Sequence, residues 1–411
     1  MPKAIVITID QLGARYLSPY GNTWNPTPGF DNLAASGMTA EYCLSSSTSL
    51  NSSMRSLLTG QHVMATKEKP TLMQQLSDLG QSSLLIQEGD SLTTIPGTQE
   101  FSHLQTIPPA INSKMAESLE FTATAQFISL VMKELEQGIT HDLTWIHHSS
   151  LGCIWDAPFA YREQFFGEED PDIAEMIMPP LGPLANEDDP DEIMQVVHAY
   201  AAQVSVLDTC LSLLLEQIQI LVNNLDETAL LIVTSPRSQA LGHHGGIGYA
   251  YSQPATDQIH VPLFVTKILS KTPGSQETSP SRNPILLQPE CVYATLKHWL
   301  TGNDNEAVFA GHGSQLQQLE SPGQAVPSLA QQFTLSRFAK NQLAMQSPAW
   351  FSVTNDEGSV RLYVKPDDRW ESNEIGSRRK DIVQEFETLF QSASELLNEP
   401  VNLPESLQKQ G

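Results

Sequence analysis

The sequence is poor in positive charge, in cysteine and in aromatic residues. Against 47 Asp and Glu there are only 22 Lys and Arg, a formal net charge of −25 over 411 residues. That balance excludes a binder of the phosphate backbone and makes both nucleic acid and an anionic membrane poor partners. Four cysteines, Cys43, Cys153, Cys210 and Cys291, are scattered without a CxxC pair, which excludes a disulfide framework and a zinc ribbon. They are expected to be buried thiols. The opening apolar run, Ala4 to Ile9, ends at an acid and is too short for a signal peptide or a spanning helix, so a cytoplasmic protein is expected. No internal repeat is visible. With 40% hydrophobic and 17% charged residues, the chain is far too apolar to be disordered and has the length for one large domain with a smaller appendage.

Ala4–Ile9 is β-branched and almost wholly apolar, the pattern of a strand buried on both faces of a parallel sheet. In open α/β sheets ligands gather beyond the carboxyl ends of the strands, so Asp10 and Gln11 stand where chemistry would be placed. Short helices are expected within Thr27–Gly37 and Arg55–Gly60, and a long one from about Glu192 to Val222. Further strands are expected at Ser83–Ile86, Asp142–Ile146 and Ala229–Thr234, giving the alternation of a layered α/β domain. Between Thr272 and Pro284 the chain is polar and proline-rich and predicts a surface loop or linker. Near the end, two alternating runs flank Asn355–Gly358 as a hairpin, and an amphipathic helix is expected over about Arg378 to Leu397.

Four stretches, in order, resemble the sulfatases of the alkaline phosphatase superfamily. Ile5–Asn22 is similar to the family's opening strand with its Asp-Asp metal pair. Thr27–Gly60 is similar to its TPNLDRLAAEG helix and CxPSRxxLLTG signature. Thr228–Ala250 is similar to the strand bearing TSDHG and the following GEHG loop, with His260–Val265 matching the next strand. Leu362–Ile375 is similar to a C-terminal motif common in bacterial members. The resemblance implies an α/β layered fold with a mixed, mostly parallel central sheet. It also implies an N-terminal catalytic-fold domain over 1–310 and a small C-terminal subdomain, hairpin plus helix, over 311–411.

The family's chemistry is sulfuric ester hydrolysis. A calcium ion held by hard oxygen ligands and a formylglycine nucleophile made from Cys or Ser carry it, with Lys, Arg and His neutralising the sulfate oxygens. Carried over residue by residue, most of these roles are missing. Asp10 matches the first metal ligand, but the second is Gln11, and the two at TSDHG become Pro236, with no donor atom, and Arg237, a permanent cation. The nucleophile position falls on Leu50 or Asn51, depending on register, and Cys43 lies seven residues too early. In the stretch similar to LHGPWDAP the histidine is Gly152 and the proline Ile154, and the GEHGLWGK lysine is Tyr249, whereas His244 and Arg55 survive.

The scaffold motifs LLTG, WDAP and KPDDRWE are kept. Packing retained and polar roles replaced imply a degenerate, pseudoenzyme member without metal-dependent sulfatase activity. No cofactor is expected, and calcium if any metal is bound. Its expected partners are a sulfated or other anionic small molecule or glycan, or an active paralogue. The alternative is an active sulfate or phosphate ester hydrolase using an unmodified hydroxyl near Ser49, although relatives that do so need two metal ions. Two readings of Arg237 stand side by side: a solvated loop residue, or a guanidinium in the cation position paired with Asp10. His243–His244, His147–His148 and His260 admit either a transition-metal site or loop packing. Adjacent residues on a strand face opposite ways, so each pair offers one ligand to a common centre.

Overall fold

The computed structural model describes residues 2–65, 69–183, 190–225, 228–248, 253–269, 279–302, 333–338, 342–355, 357–393 and 403–409. Its centre is a twisted sheet that starts from the predicted first strand, Lys3–Ile9 (β1). β1 lies between Leu143–His148 (β5) and Ala229–Thr234 (β7), both parallel to it. Beyond β5 come Ser83–Glu88 (β3) and His103–Ile107 (β4), also parallel. On the other side Leu263–Ile268 (β10) runs antiparallel to β7, then Met38–Leu44 (β2) antiparallel to β10, and Ser281–Leu287 (β11) parallel to β2. The order is therefore β11-β2-β10-β7-β1-β5-β3-β4, mixed but mostly parallel.

Two apolar layers cover the sheet, and β1 shows why. Ile5, Ile7 and Ile9 join one core and Ala4 and Val6 the other, as the two-residue period of a strand requires. The first layer is built by Ala123–Glu134 and the long helix Pro190–Leu225. The second is built by Leu50–Thr59, Leu72–Asp78 and Glu290–Thr301. In chain order, with Pro28–Ser36 as α1 and Phe159–Glu163 as α5, these are α4, α6, α2, α3 and α7. α6 is long and apolar enough to cross a membrane by length and composition alone, and half of its apolar window is buried inside this fold.

A second, antiparallel sheet comprises Thr334–Arg337 (β12), Leu343–Gln346 (β13), Trp350–Thr354 (β14) and Val360–Val364 (β15). Helix α8, Lys380–Gln391, packs on it around Trp350, Ile382 and Phe386. The expected hairpin is β14–β15. The expected domain boundary at 310/311 lies outside the described residues.

Three expectations need correction. The segment taken as linker through Pro284 ends in strand β11, whose polar Ser281, Arg282 and Asn283 follow a β2 that is itself part polar. Cys153 is exposed, because it follows the turn at the carboxyl edge of β5, while Cys43, Cys210 and Cys291 are buried. His147 and His148 are the last two residues of β5 rather than loop residues.

Candidate functional site at the carboxyl ends of three strands

The carboxyl ends of β5, β1 and β7 meet at Asp10. Its backbone N–H donates to His148 O at 2.8 Å, which extends the β1–β5 ladder by one residue and fixes the carboxylate, 4% exposed, over the sheet edge. Three residues after β7 the chain returns with Arg237. Its Nε donates to Asp10 Oδ1 at 2.9 Å and its Nη2 to Asp10 Oδ2 at 2.9 Å, a two-pronged pair of parallel charge-assisted bonds. Nη1 donates to Thr48 O at 3.1 Å. Of the two readings of Arg237, the paired one describes the geometry.

Thr48 belongs to the hydroxyl-rich segment ahead of α2. Ser45 Oγ donates to Pro236 O at 2.6 Å and Ser53 Oγ to Ser47 O at 2.8 Å, so this segment is tied to the turn that carries Arg237. Strand β12 clamps it from outside through Arg337 N to Ser46 O at 2.9 Å.

Gln11 has φ 63°, the left-handed region that a long side chain seldom enters. Tyr200 of α6 holds it there: the phenol donates to Gln11 O at 2.7 Å and accepts from Gly13 N at 3.1 Å. Gly152 lies so close that a Cβ on it would be 2.5 Å from Gln11 Nε2. The histidine that the resemblance implies at 152 would require the amide end of this glutamine to move aside.

His147 and His148 face opposite sides of β5. His147 is fully buried, with Nδ1 3.0 Å from Thr8 Oγ1, and among the described residues Nε2 has no hydrogen-bond partner. Burial pushes its pKa down to about 4, against the upward pull of Asp10, so the ring is neutral at pH 7. His148 stacks on Phe127, and its Nδ1 lies 2.8 Å from Glu88 Oε2. Ser149 N also donates to that oxygen, at 2.9 Å. Tyr200, Glu88 and this histidine arrangement escaped the sequence reading. The only signal was the position of His147 and His148 directly after an apolar run.

Of the remaining expected residues, Ser49 is exposed at the N-terminal cap of α2, with no side-chain capping bond. It follows Thr48 directly and so borders the Asp10–Arg237 pair. Arg55 is partly buried on α2, and His244 is partly buried in the loop ahead of residue 246. His260 Nε2 is 2.9 Å from Glu41 O. Tyr249 lies outside the described residues. Among the described residues no group of three or more His, Cys, Asp or Glu is placed to hold a metal ion. A cavity of about 690 Å³ beside Tyr42, His260 and Arg282 is not lined by Asp10, Gln11, Ser49, Arg55, Arg237 or His244.

The same architecture occurs in proteins of known structure. The phosphonate monoester hydrolase of Agrobacterium radiobacter superposes with a TM-score of 0.71 at 15% identity, over 97% of this chain and 95% of that one. A protein solved with its substrate D-glucosamine-2-N,6-O-disulfate gives 0.67 at 14% identity, covering 97% of this chain and 100% of that one. One solved with k-i-k-neocarrahexaose gives 0.62 at 14%, covering 97% and 93%. No curated protein matches the sequence. The family model described as Sulfatase matches residues 2–285, a span that contains β1, Asp10, the segment before α2 and Arg237, and on that match the chain belongs to the sulfatase family.

Proposed function

We propose that this chain is a pseudoenzyme of the sulfatase family, which holds a sulfated or other anionic ligand without metal-dependent hydrolysis. The observation that carries this reading is the bidentate Asp10–Arg237 pair. A calcium ion needs six to eight oxygen ligands, several of them carboxylates. Here both oxygens of the one carboxylate are bonded to a guanidinium, the next residue offers an amide, and Pro236 offers nothing from its side chain. The donor set does not fit calcium. The permanent charge of Arg237 supplies the counter-ion that Asp10 requires and repels a second cation. The sulfated saccharides bound by proteins of this architecture support the ligand class.

The decisive assay is turnover of aryl sulfate and aryl phosphate esters by the full chain with and without calcium, manganese or zinc. The expected result is no metal-stimulated rate. Metal-stimulated turnover that disappears in Asp10→Ala overturns the reading.

A second reading, an ester hydrolase with an unmodified serine nucleophile, is favoured by one observation: Ser49 is exposed at the start of α2 with its hydroxyl unused as a cap. Metal-independent turnover abolished by Ser49→Ala would establish it.

A further inference from the structure

Beside the strand ends, but built from other residues, lies a concavity of about 470 Å³ lined by Arg15, Tyr16, Trp24, His198, Arg369 and Trp370, among others. Its composition is unlike the surface of so acidic a protein. The guanidinium of Arg15 lies 4.1 Å from the centroid of the Trp370 ring and that of Arg369 lies 4.8 Å from it, so two cations share one indole. Arg15 Nη1 is 3.8 Å from Asp257 Oδ2, beyond hydrogen-bond reach, and Arg369 Nη2 donates to the carbonyl of Tyr20 at 2.5 Å. Burial and the neighbouring charge of Arg15 both lower the pKa of Arg369.

Both indoles show large faces to solvent, Trp24 being 45% and Trp370 42% exposed. Trp24 is held from behind, edge-on to Phe165 at 5.7 Å and tilted against His198 at 5.8 Å.

Guanidinium forks match the oxygen geometry of sulfate, phosphate and carboxylate, and indole faces match the flat apolar side of a ring. A volume of this size far exceeds what a bare oxyanion fills and falls in the range of small-molecule sites. We propose that this concavity binds a ring-bearing oxyanion, with Arg15 and Arg369 on the charged group and Trp24 and Trp370 along the ring. The ring is a pyranose or an arene. The site shares no side chain with the Asp10–Arg237 pair, and it stands whether or not that pair excludes a metal.

The test is titration of the full chain, followed by tryptophan fluorescence and calorimetry, with galactose 6-sulfate, phenyl sulfate, galactose and inorganic sulfate. Galactose 6-sulfate or phenyl sulfate should bind at least about tenfold more tightly than galactose or inorganic sulfate. Which of the two is tighter names the ring. Arg15→Gln and Trp24→Ala should each weaken binding by about tenfold, whereas Lys114→Gln, an exposed cation that does not line the concavity, should leave it unchanged. Trp24 is exposed, so its variant keeps the test open if Arg15→Gln fails to fold. Failure of both ring-bearing anions to bind at millimolar concentration overturns the proposal. So does equal binding of inorganic sulfate, or affinity that falls in Lys114→Gln as much as in Arg15→Gln and Trp24→Ala.

Discussion

Replacing Arg237 by Met would strip the guanidinium from Asp10, a carboxylate 4% exposed, and remove its two hydrogen bonds to Asp10 and the one to Thr48 O. The side chains of the pair are 11% and 5% exposed, so solvent screening takes away little of the effect. Breaking a buried pair on one side costs about 3–5 kcal/mol. At about 2.1 cal/mol/K of unfolding entropy per residue, a chain of 411 residues loses about 1.2 °C of melting temperature per kcal/mol, so the loss is about 3–6 °C. Removing both charges, in Asp10→Asn with Arg237→Met, should restore most of that loss, because an amide in the same place carries no buried charge. Differential scanning calorimetry of the parent, the single and the double variant reads all three quantities. Calcium should leave the parent's midpoint where it is. A parent and an Arg237→Met variant that melt together would refute the reasoning. So would a double variant no more stable than the single, or a calcium-dependent rise in the parent that is lost in Asp10→Asn.

Acid should destabilise the fold partly through His147. Its pKa is about 4 in the folded protein against 6.5 as reference, so between those values the unfolded chain binds a proton that the native one does not. The contribution is complete above pH 6.5 and is lost as pH falls toward 4, at about 1.4 kcal/mol per pH unit. In His147→Gln, urea unfolding at a series of pH values should show a slope shallower by about that amount over this window, and an unchanged slope would exclude the assignment. Glu371→Ala should cost about 3–5 kcal/mol in the same assay, because the side chain is buried between Lys365 Nζ and Thr256 Oγ1 and its loss takes the carboxylate away from a buried ammonium. Gly60→Ala should lower the melting temperature by several degrees. Gly60 ends α2 at φ 64° and a Cβ there would be 2.4 Å from the Tyr293 ring, whereas an alanine at Gly80, equally left-handed but open, should cost less.

The fold was legible where burial is two-sided. β1 and β7 consist of apolar residues facing a helical layer on each side, so the sequence shows an unbroken run whose end marks the site. β2 and β11 escaped because Thr39, Glu41 and the Ser281–Asn283 stretch mix polar side chains into the strands, and their pairing joins segments some 240 residues apart. At the site, the positions of Asp10 and Arg237 could be read from motif spacing. Their pairing could only be listed beside its alternative, since it depends on two strand ends meeting. Nothing local connects Trp24 with Trp370 or Arg15 with Arg369. The concavity they line is created by the C-terminal segment folding back over the loop that follows β1. Long-range closure leaves no periodicity in a sequence, which is why this cluster of positive charge could not be located from it.

The left-handed backbone at Gln11 bears on how such a site changes over time. Aspartate enters that region more readily than glutamine, so Gln11→Asp would meet no conformational barrier. The obstacle is the order of events. With Arg237 in place, a second carboxylate would be drawn to the guanidinium as a salt-bridge partner instead of standing free. With Arg237 removed first, Asp10 is stranded in a dry site. Each single step gains nothing by itself, so the exchange between an internal cation and an external one works as a ratchet. Drift at these two positions is constrained as a pair, although the residues stand 227 apart in the chain.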